Sequence, residues 1–323
     1  MDSLHKSVFP AHLSRRRALS LLTSGIAASL LPRVAWGDAD PGGVVVAIST
    51  DTLGGANVND ARAAYAVWIQ EVTRHSGRIR ANVLPQIFLS SDELLRDVRS
   101  GTVQCYGITA LEYMKIADLT DPGYLLLQDY LADGMEYVLV VNSQSSYRSM
   151  ADLRGAQLVL HHHRDLVLAT AWIETSLAAA SLPPAEHFFG SISARDSVNQ
   201  VALPVFFRRA DAACLARGSW ETAVELNPQL GRSMRVLTVS PKVVPIVLAF
   251  RRHCSEAGRQ ALIDAVMNIT SVTAGQQIVA LYQAHNFVLR TTAVMKVTVD
   301  MLTEYQRLLA RMRDRREDSR TGW

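Results

Sequence analysis

Short apolar segments alternate along this chain with longer amphipathic ones, the pattern of an α/β protein. β-branched or apolar runs at 44–48, 103–108 and 157–160 predict buried strands. Between them, apolar positions spaced three and four residues apart predict helices, the first over 59–75. The order strand, helix, strand, helix predicts mainly parallel sheets with helices on both faces.

The same alternation predicts two lobes rather than one. A second series of strands begins near residue 137, and the apolar segment 243–250 is long enough to cross back from the second lobe to the first. The predicted domains are 1–37 as an export signal, 38–137 with 243–290 as lobe 1, 138–242 as lobe 2, and 291–323 as a C-terminal helix and basic tail.

The first 37 residues have the three parts of an export signal. Basic residues at 15–17 precede an apolar run over 18–31, and Ala35 and Gly37 form a small-x-small cleavage site. The run is shorter than the roughly 20 residues of a membrane span. Consecutive arginines before the apolar run resemble a twin-arginine signal, with an ordinary signal or a basic arm as alternatives. We therefore expect a cleaved signal peptide and a periplasmic protein beginning near Asp38.

Composition and charge exclude further classes of function. The 323 residues are 49% hydrophobic and 20% charged, sufficient for large cores, and three cysteines cannot form a dense disulfide framework. The net charge of +3 comes from the two ends, so the body between them is acidic and does not suit nucleic acid. No HExxH, GxSxG, CxxC or glycine-rich phosphate loop is present, so we expect no enzyme activity.

Four groups of segments, in this order, resemble a type II periplasmic solute-binding protein. Within that class the chain is similar to the phosphate/phosphonate-binding component of ABC importers. In the first lobe the matching segment is 93–103, a helix followed by a glycine and a strand. In the second lobe they are the strand 137–141 with the DLxG turn in 149–155, and the later strand, loop and following strand at 208–217, 227–230 and 236–241. The last is the helix pair 257–287.

This resemblance implies a fold, a function and partners. The fold would be a two-lobed type II periplasmic binding protein, each lobe a mainly parallel sheet flanked by helices, with a hinge between the lobes. The function would be capture of a small anionic, phosphate- or phosphonate-like ligand for the membrane permease of an ABC importer, by a monomer. A sensory or accessory binding module, and a metal or metal-complex binding protein, are the alternatives.

The family's hydroxyl-rich anion loop corresponds here to His161, His162, His163 and Arg164, a segment without a hydroxyl group. Three interpretations are open for this segment. In the first the histidines face solvent, in the second Arg164 and the following amides contact an anion, and in the third His161 and His163 bind a metal. The segment departs from the family at the place that would define the ligand. No cofactor other than such a metal is expected.

Five further residues lie where the resemblance places the cleft between the lobes. These are Thr50, Tyr106, Thr109, Asp211 and Arg217, of which Tyr106 and Thr109 lie where the family has an aromatic and polar wall. Structural alternatives are a flexible turn at Thr50, the core for Tyr106, a strand cap for Asp211 and a surface position for Arg217.

Overall fold

The computed structural model describes residues 44–53, 57–76 and 81–321. The predicted export signal lies outside these residues. Eleven strands are described: β1 (Val44–Ser49), β2 (Ala81–Leu89), β3 (Cys105–Thr109), β4 (Thr120–Gln128), β5 (Tyr137–Asn142), β6 (Gln157–His161), β7 (Ser191–Arg195), β8 (Ala212–Ala216), β9 (Met234–Val239), β10 (Ile246–Arg251) and β11 (Phe287–Thr291).

Helices separate most of these strands, as the alternation predicts. Eleven are described, besides short 3-10 turns: α1 (Val58–Ser76), α2 (Ser91–Ser100), α3 (Ala110–Tyr113), α4 (Ala169–Ala179), α5 (Ala185–Phe188), α6 (Val198–Phe206), α7 (Arg217–Leu226), α8 (Pro228–Ser233), α9 (Glu256–Met267), α10 (Thr273–Leu281) and α11 (Lys296–Thr321). Among the described residues, no helix is long and apolar enough to span a membrane.

The strands form two separate sheets, each covered by helices. The six-stranded sheet has the order β11-β4-β10-β3-β1-β2, and with its helices we call it lobe 1. The five-stranded sheet has the order β7-β6-β8-β5-β9, and with its helices we call it lobe 2. The predicted two-lobed α/β fold is therefore confirmed. The exact domain boundaries stay a prediction, although the strands divide between the sheets in the predicted order.

Most strands of each sheet run in one direction, as predicted, although antiparallel strands make both sheets mixed. In lobe 1, β1 pairs in parallel with β2 and β3, whereas β10 is antiparallel to both β3 and β4. In lobe 2, β6 is parallel to β7 and β8, but β5 is antiparallel to β8 and β9. The antiparallel strands β5 and β10 each follow directly after the chain crosses from one lobe to the other. Each runs in the opposite direction to the strands beside it in its sheet.

Two chain segments cross between the lobes side by side. Met135 and Val243 form an isolated antiparallel bridge in which each N–H donates to the other's carbonyl at 2.8 Å. Beside it, the N–H of Val244 donates to Thr298 Oγ1 of α11 at 2.9 Å. α11 in turn packs against α3 of lobe 1 and α4 of lobe 2. This pair of crossing strands is where a hinge between the lobes would lie.

The three cysteines are buried and unpaired. Cys105 lies in β3 of lobe 1 and Cys214 in β8 of lobe 2, so the two central strands carry them in different sheets. Burial raises the pKa of the Cys214 thiol to about 12. Such a thiol is a small apolar packing group at neutral pH rather than a reactive one.

Candidate functional site

A cavity of about 620 Å³, lined by both polar and apolar residues, lies between the lobes, beside the crossing segments. Lobe 1 contributes Tyr130 and Gln283, and lobe 2 contributes Asp165 and the first turn of α7. The crossing segments add Glu136 and Lys242. A second cavity, of about 40 Å³, lies in the apolar core of lobe 1 and is far smaller. The inter-lobe cavity is therefore the place where a solute would be enclosed.

The start of α7 forms one wall of this cavity. β8 ends at Ala216 and α7 begins at Arg217 without an intervening loop, so the helix starts at the carboxyl end of a central strand. The N–H of Arg217 donates to the Glu136 carbonyl at 2.8 Å. Gly218 and Ser219 complete the first turn, whose N–H groups have no acceptor within the helix itself. This end of the helix carries positive potential directed at the cavity.

Two cations and two carboxylates surround the cavity. Arg217 Nε lies 2.7 Å from Glu136 Oε2, and its Nη1 lies 3.6 Å from Glu221 Oε1. Lys242 is exposed and forms no ion pair with any residue that the structure describes. On the opposite side, Asp165 Oδ1 accepts a hydrogen bond from the Tyr130 hydroxyl at 3.1 Å. The uncompensated charge beside α7 is therefore that of Lys242.

Of the residues predicted from the sequence, Arg217 lines the cavity but Arg164 does not. The Arg164 side chain is 4% exposed and extends from lobe 2 to lobe 1. Its Nη2 donates to the Tyr282 carbonyl at 2.7 Å, and its guanidinium lies 5.6 Å from the centre of the Tyr282 ring. The structure therefore places the Arg164 guanidinium against the carbonyls that end α10 rather than in the cavity lining, and an anion contact at Arg164 stays a prediction.

The three histidines differ in their environments. His161 and His163 stack with ring centroids 5.3 Å apart and an interplanar angle of 15°. His162 points away from them and its Nδ1 lies 3.0 Å from Asp196 Oδ1, with 79% of its side chain exposed. Because the rings of His161 and His163 are stacked, their nitrogen lone pairs lie in nearly parallel planes. They do not converge on one point, as the lone pairs of two ligands of the same metal ion would. Within the described residues, no group of three or more His, Cys, Asp or Glu could hold a metal ion.

His161 gives the first testable prediction, a pH dependence of stability. Its ring is buried with Nδ1 unpartnered, and burial, followed by the charge of His163, lowers its pKa. The folded state therefore holds His161 neutral, while the unfolded chain takes up a proton below about pH 6.5. Stability should fall as the pH drops from about 7 towards the lowered pKa. We expect His161→Gln to reduce this acid-side loss in urea unfolding. Equal slopes in the variant and the wild type would contradict the assignment.

Thr50 and Thr109 lie at the carboxyl ends of adjacent strands in lobe 1. Thr109 is 2% exposed and caps α3, with its N–H and its hydroxyl both donating to Glu112 Oε2 at 2.8 and 2.9 Å. Ser49, next to Thr50, donates its hydroxyl to Glu112 Oε1 at 2.6 Å. Glu112 therefore ties together the ends of β1 and β3. Glu112 is not among the residues predicted from the sequence, although a threonine followed three residues later by glutamate predicts such a cap.

Tyr106 and Asp211 are predicted ligand contacts that the structure places elsewhere. Tyr106 is fully buried in β3, where its hydroxyl lies 2.8 Å from Thr120 Oγ1. Its strand is covered on both faces and paired on both edges, so the side chain belongs to the core. Asp211 precedes β8 and accepts from Gln157 N–H at 2.8 Å, at the amino end of that strand. The inter-lobe cavity lies at the opposite end of the strand, so neither Tyr106 nor Asp211 is among the residues that line it, and their contact with a ligand stays a prediction.

The two lobes, the paired crossing segments and the cavity between the lobes define a solute-binding protein of the type that closes around its ligand. The family model for the ABC transporter phosphonate periplasmic substrate-binding protein matches residues 56–314. The chain therefore belongs to this family of binding proteins, which are periplasmic and serve ABC importers rather than acting as enzymes. No curated protein sequence matches the chain.

Solved structures agree on the fold at low sequence identity. A binding-protein component of an ABC phosphonate transporter from Pseudomonas aeruginosa has a TM-score of 0.50 at 15% identity, covering 82% of this chain and 87% of its own. PhnD1 from Prochlorococcus marinus, in complex with methylphosphonate, has a TM-score of 0.52 at 14% identity, covering 84% and 99%. A protein from Xanthomonas citri, bound to ATP, has a TM-score of 0.56 at 17% identity, covering 83% and 98%.

Proposed function

We propose that the inter-lobe cavity captures a small phosphate- or phosphonate-like anion for the importer. The observation that carries this proposal is the first turn of α7, which is directed into the cavity together with Arg217 and Lys242. Unsatisfied amides at a helix start and a nearby guanidinium are the groups that bind oxyanions in proteins.

The same helix supplies the hydroxyl groups that the 161–165 segment lacks. Ser219 and Thr222 both line the cavity, one turn apart on α7. Hydroxyl donors and helix amides from one element can then surround an oxyanion, with Lys242 adding charge from the crossing segment. Tyr130 and Asp165 face them from the other side and leave room for an organic substituent that carries a hydrogen-bond donor.

Calorimetric titration with methylphosphonate and with inorganic phosphate tests the proposal. We expect at least one of them to bind, and the double variant Arg217→Ala/Lys242→Ala to weaken that binding by at least about a hundredfold, since each of the two charged contacts is worth about 1.5–3 kcal/mol. The matched control is Lys296→Ala, which removes an exposed lysine paired with Asp300 far along the chain. Failure of both anions to bind, or an equal affinity in the double variant, would contradict the proposal.

The proposed function also requires that the protein is exported to the periplasm. We infer that the 1–37 segment is a twin-arginine signal that is cleaved, which the basic and apolar pattern of the sequence and the periplasmic family both support. The mature protein would then act as a monomer that presents its ligand to the permease.

A further inference from the structure

A second polar pocket lies on lobe 2, away from the inter-lobe cavity. It measures about 270 Å³ and is formed by the loop after β5 and by the segment between α6 and β8. Because β5 and β8 are antiparallel, the end of β5 lies beside the start of β8. The five residues of β8 separate this pocket from the start of α7 by about 17 Å. The pocket is therefore independent of the proposed solute site.

Three arginines from different parts of the chain converge on the loop that forms this pocket. Arg208 Nη2 donates to Gln144 Oε1, and Arg235 Nη2 donates to the Tyr147 carbonyl. Arg148 Nη1 donates to the carbonyls of Ser145 and Tyr147 at 2.9 and 3.0 Å. Neither Arg208 nor Arg235 forms an ion pair with any described residue. Each guanidinium has five N–H donors, so most of these donors remain available to a ligand.

Hydroxyl groups complete a set of donors around the pocket. Ser145 and Ser146 both line it, and Ser145 Oγ is buried without a hydrogen-bond partner. A buried hydroxyl without a partner is costly, which indicates that another group satisfies it. Asn142, also at the pocket, is already committed, because its Nδ2 donates to the Phe206 carbonyl at 3.3 Å. The hydrogen-bond donors that remain free for a ligand in this pocket are therefore mainly those of arginine and serine side chains.

Asp211 is the carboxylate that lines the pocket, and both of its oxygens are already hydrogen-bonded. Oδ1 accepts from the Tyr147 hydroxyl at 2.9 Å, and Oδ2 accepts from the Gln157 N–H at 2.8 Å. These bonds hold the carboxylate in the wall and satisfy it there. Asp152, outside the pocket lining, accepts hydrogen bonds from the backbone N–H groups of Arg148 and Ser149, which lower the pKa of that carboxyl. Arg208 is the cation in the lining, and Arg235 contacts the same loop from outside it.

We propose that this pocket binds a phosphoryl oxyanion, with Arg208 as the main charged contact and Ser145 as a hydroxyl donor. The phosphoryl group could belong to a soluble phosphate monoester or to the headgroup of an anionic phospholipid, which offer the same oxygens. Arginine suits it because a planar guanidinium can donate two parallel hydrogen bonds to such a group.

Nuclear magnetic resonance of the ¹⁵N-labelled mature protein tests the site, with glycerol 3-phosphate as the probe and sodium chloride at equal ionic strength as the salt control. We expect saturable shifts of the Ser145 and Tyr147 amides, and about a tenfold loss of affinity in Arg208→Ala, as for one lost charged contact. The matched control is Arg209→Ala, since Arg209 lies 5.8 Å from the Phe207 ring instead of contacting the loop. The Gly218 and Ser219 amides report separately on the inter-lobe cavity.

Flotation with phosphatidylglycerol vesicles, and with phosphatidylcholine vesicles as control, separates the two sources. Binding to the former that Arg208→Ala abolishes assigns the site to a lipid headgroup, whereas shifts with glycerol 3-phosphate and no flotation assign it to a soluble monoester. The proposal is overturned if sodium chloride reproduces the shifts, if Arg208→Ala and Arg209→Ala bind alike, or if neither probe binds.

Discussion

Replacing Glu112 by alanine is expected to destabilise the protein by about 3–5 kcal/mol, as for a buried network that loses its acceptor. Glu112 is 2% exposed and accepts from the Ser49 hydroxyl and from both the N–H and the hydroxyl of Thr109. Alanine leaves these donors buried without an acceptor and opens a void beneath the ends of β1 and β3. Urea unfolding followed by circular dichroism measures the loss.

Glu93 provides the matched control for this prediction. It stands at the third position of α2 and accepts from the Ser90 N–H and hydroxyl at 3.0 and 2.7 Å, the same capping arrangement in an exposed position. Glu93→Ala should therefore cost much less, since water can satisfy the freed donors. Similar losses in the two variants would show that burial of the Glu112 carboxylate is not what stabilises lobe 1.

Replacing Arg164 by alanine is expected to shift the protein towards an open arrangement of its lobes. The guanidinium joins lobe 2 to the carbonyl of Tyr282 in lobe 1 while almost fully buried. Losing a charged hydrogen bond of about 1.5–3 kcal/mol would change the ratio of closed to open molecules by about tenfold to a hundredfold. Small-angle X-ray scattering of the ligand-free protein should then give a larger radius of gyration.

The control for Arg164 is Arg154, whose guanidinium lies 5.4 Å from the Phe188 ring within lobe 2. Arg154→Ala removes a comparable cation–π contact without touching lobe 1, so its scattering should equal that of the wild type. Arg164→Lys should fall between the two, because an ammonium group can reach one carbonyl but lacks the planar fork. Identical scattering of Arg164→Ala and the wild type would contradict the role of Arg164 between the lobes.

The lobes and most of their strands could be predicted from the sequence because their apolar runs are unbroken. Val44–Ser49 and Tyr137–Asn142 are almost wholly buried strands of β-branched and apolar residues. β4 was missed because Pro122 and Gly123, which usually mark turns, stand inside it. α7 was missed because Arg217 and Gly218 resemble a loop after a strand, although they begin the helix that faces the cavity.

The site was harder to predict because its geometry depends on which end of a strand a residue occupies and on contacts distant in sequence. Asp211 and Arg217 flank the same strand, yet only the latter is at the carboxyl end that faces the cavity. Arg164 was expected at an anion, but its partner, Tyr282, is 118 residues away along the chain. A local pattern carries no information about such a contact, since the pairing exists only after both lobes have formed.

Native mass spectrometry of the protein purified from the periplasm without refolding tests the central claim most directly. If the cavity beside α7 captures a small oxyanion, the wild-type protein should carry the mass of a phosphate- or phosphonate-like compound, and Arg217→Ala/Lys242→Ala should lose it. A neutral or cationic compound that both proteins retain equally would contradict the account.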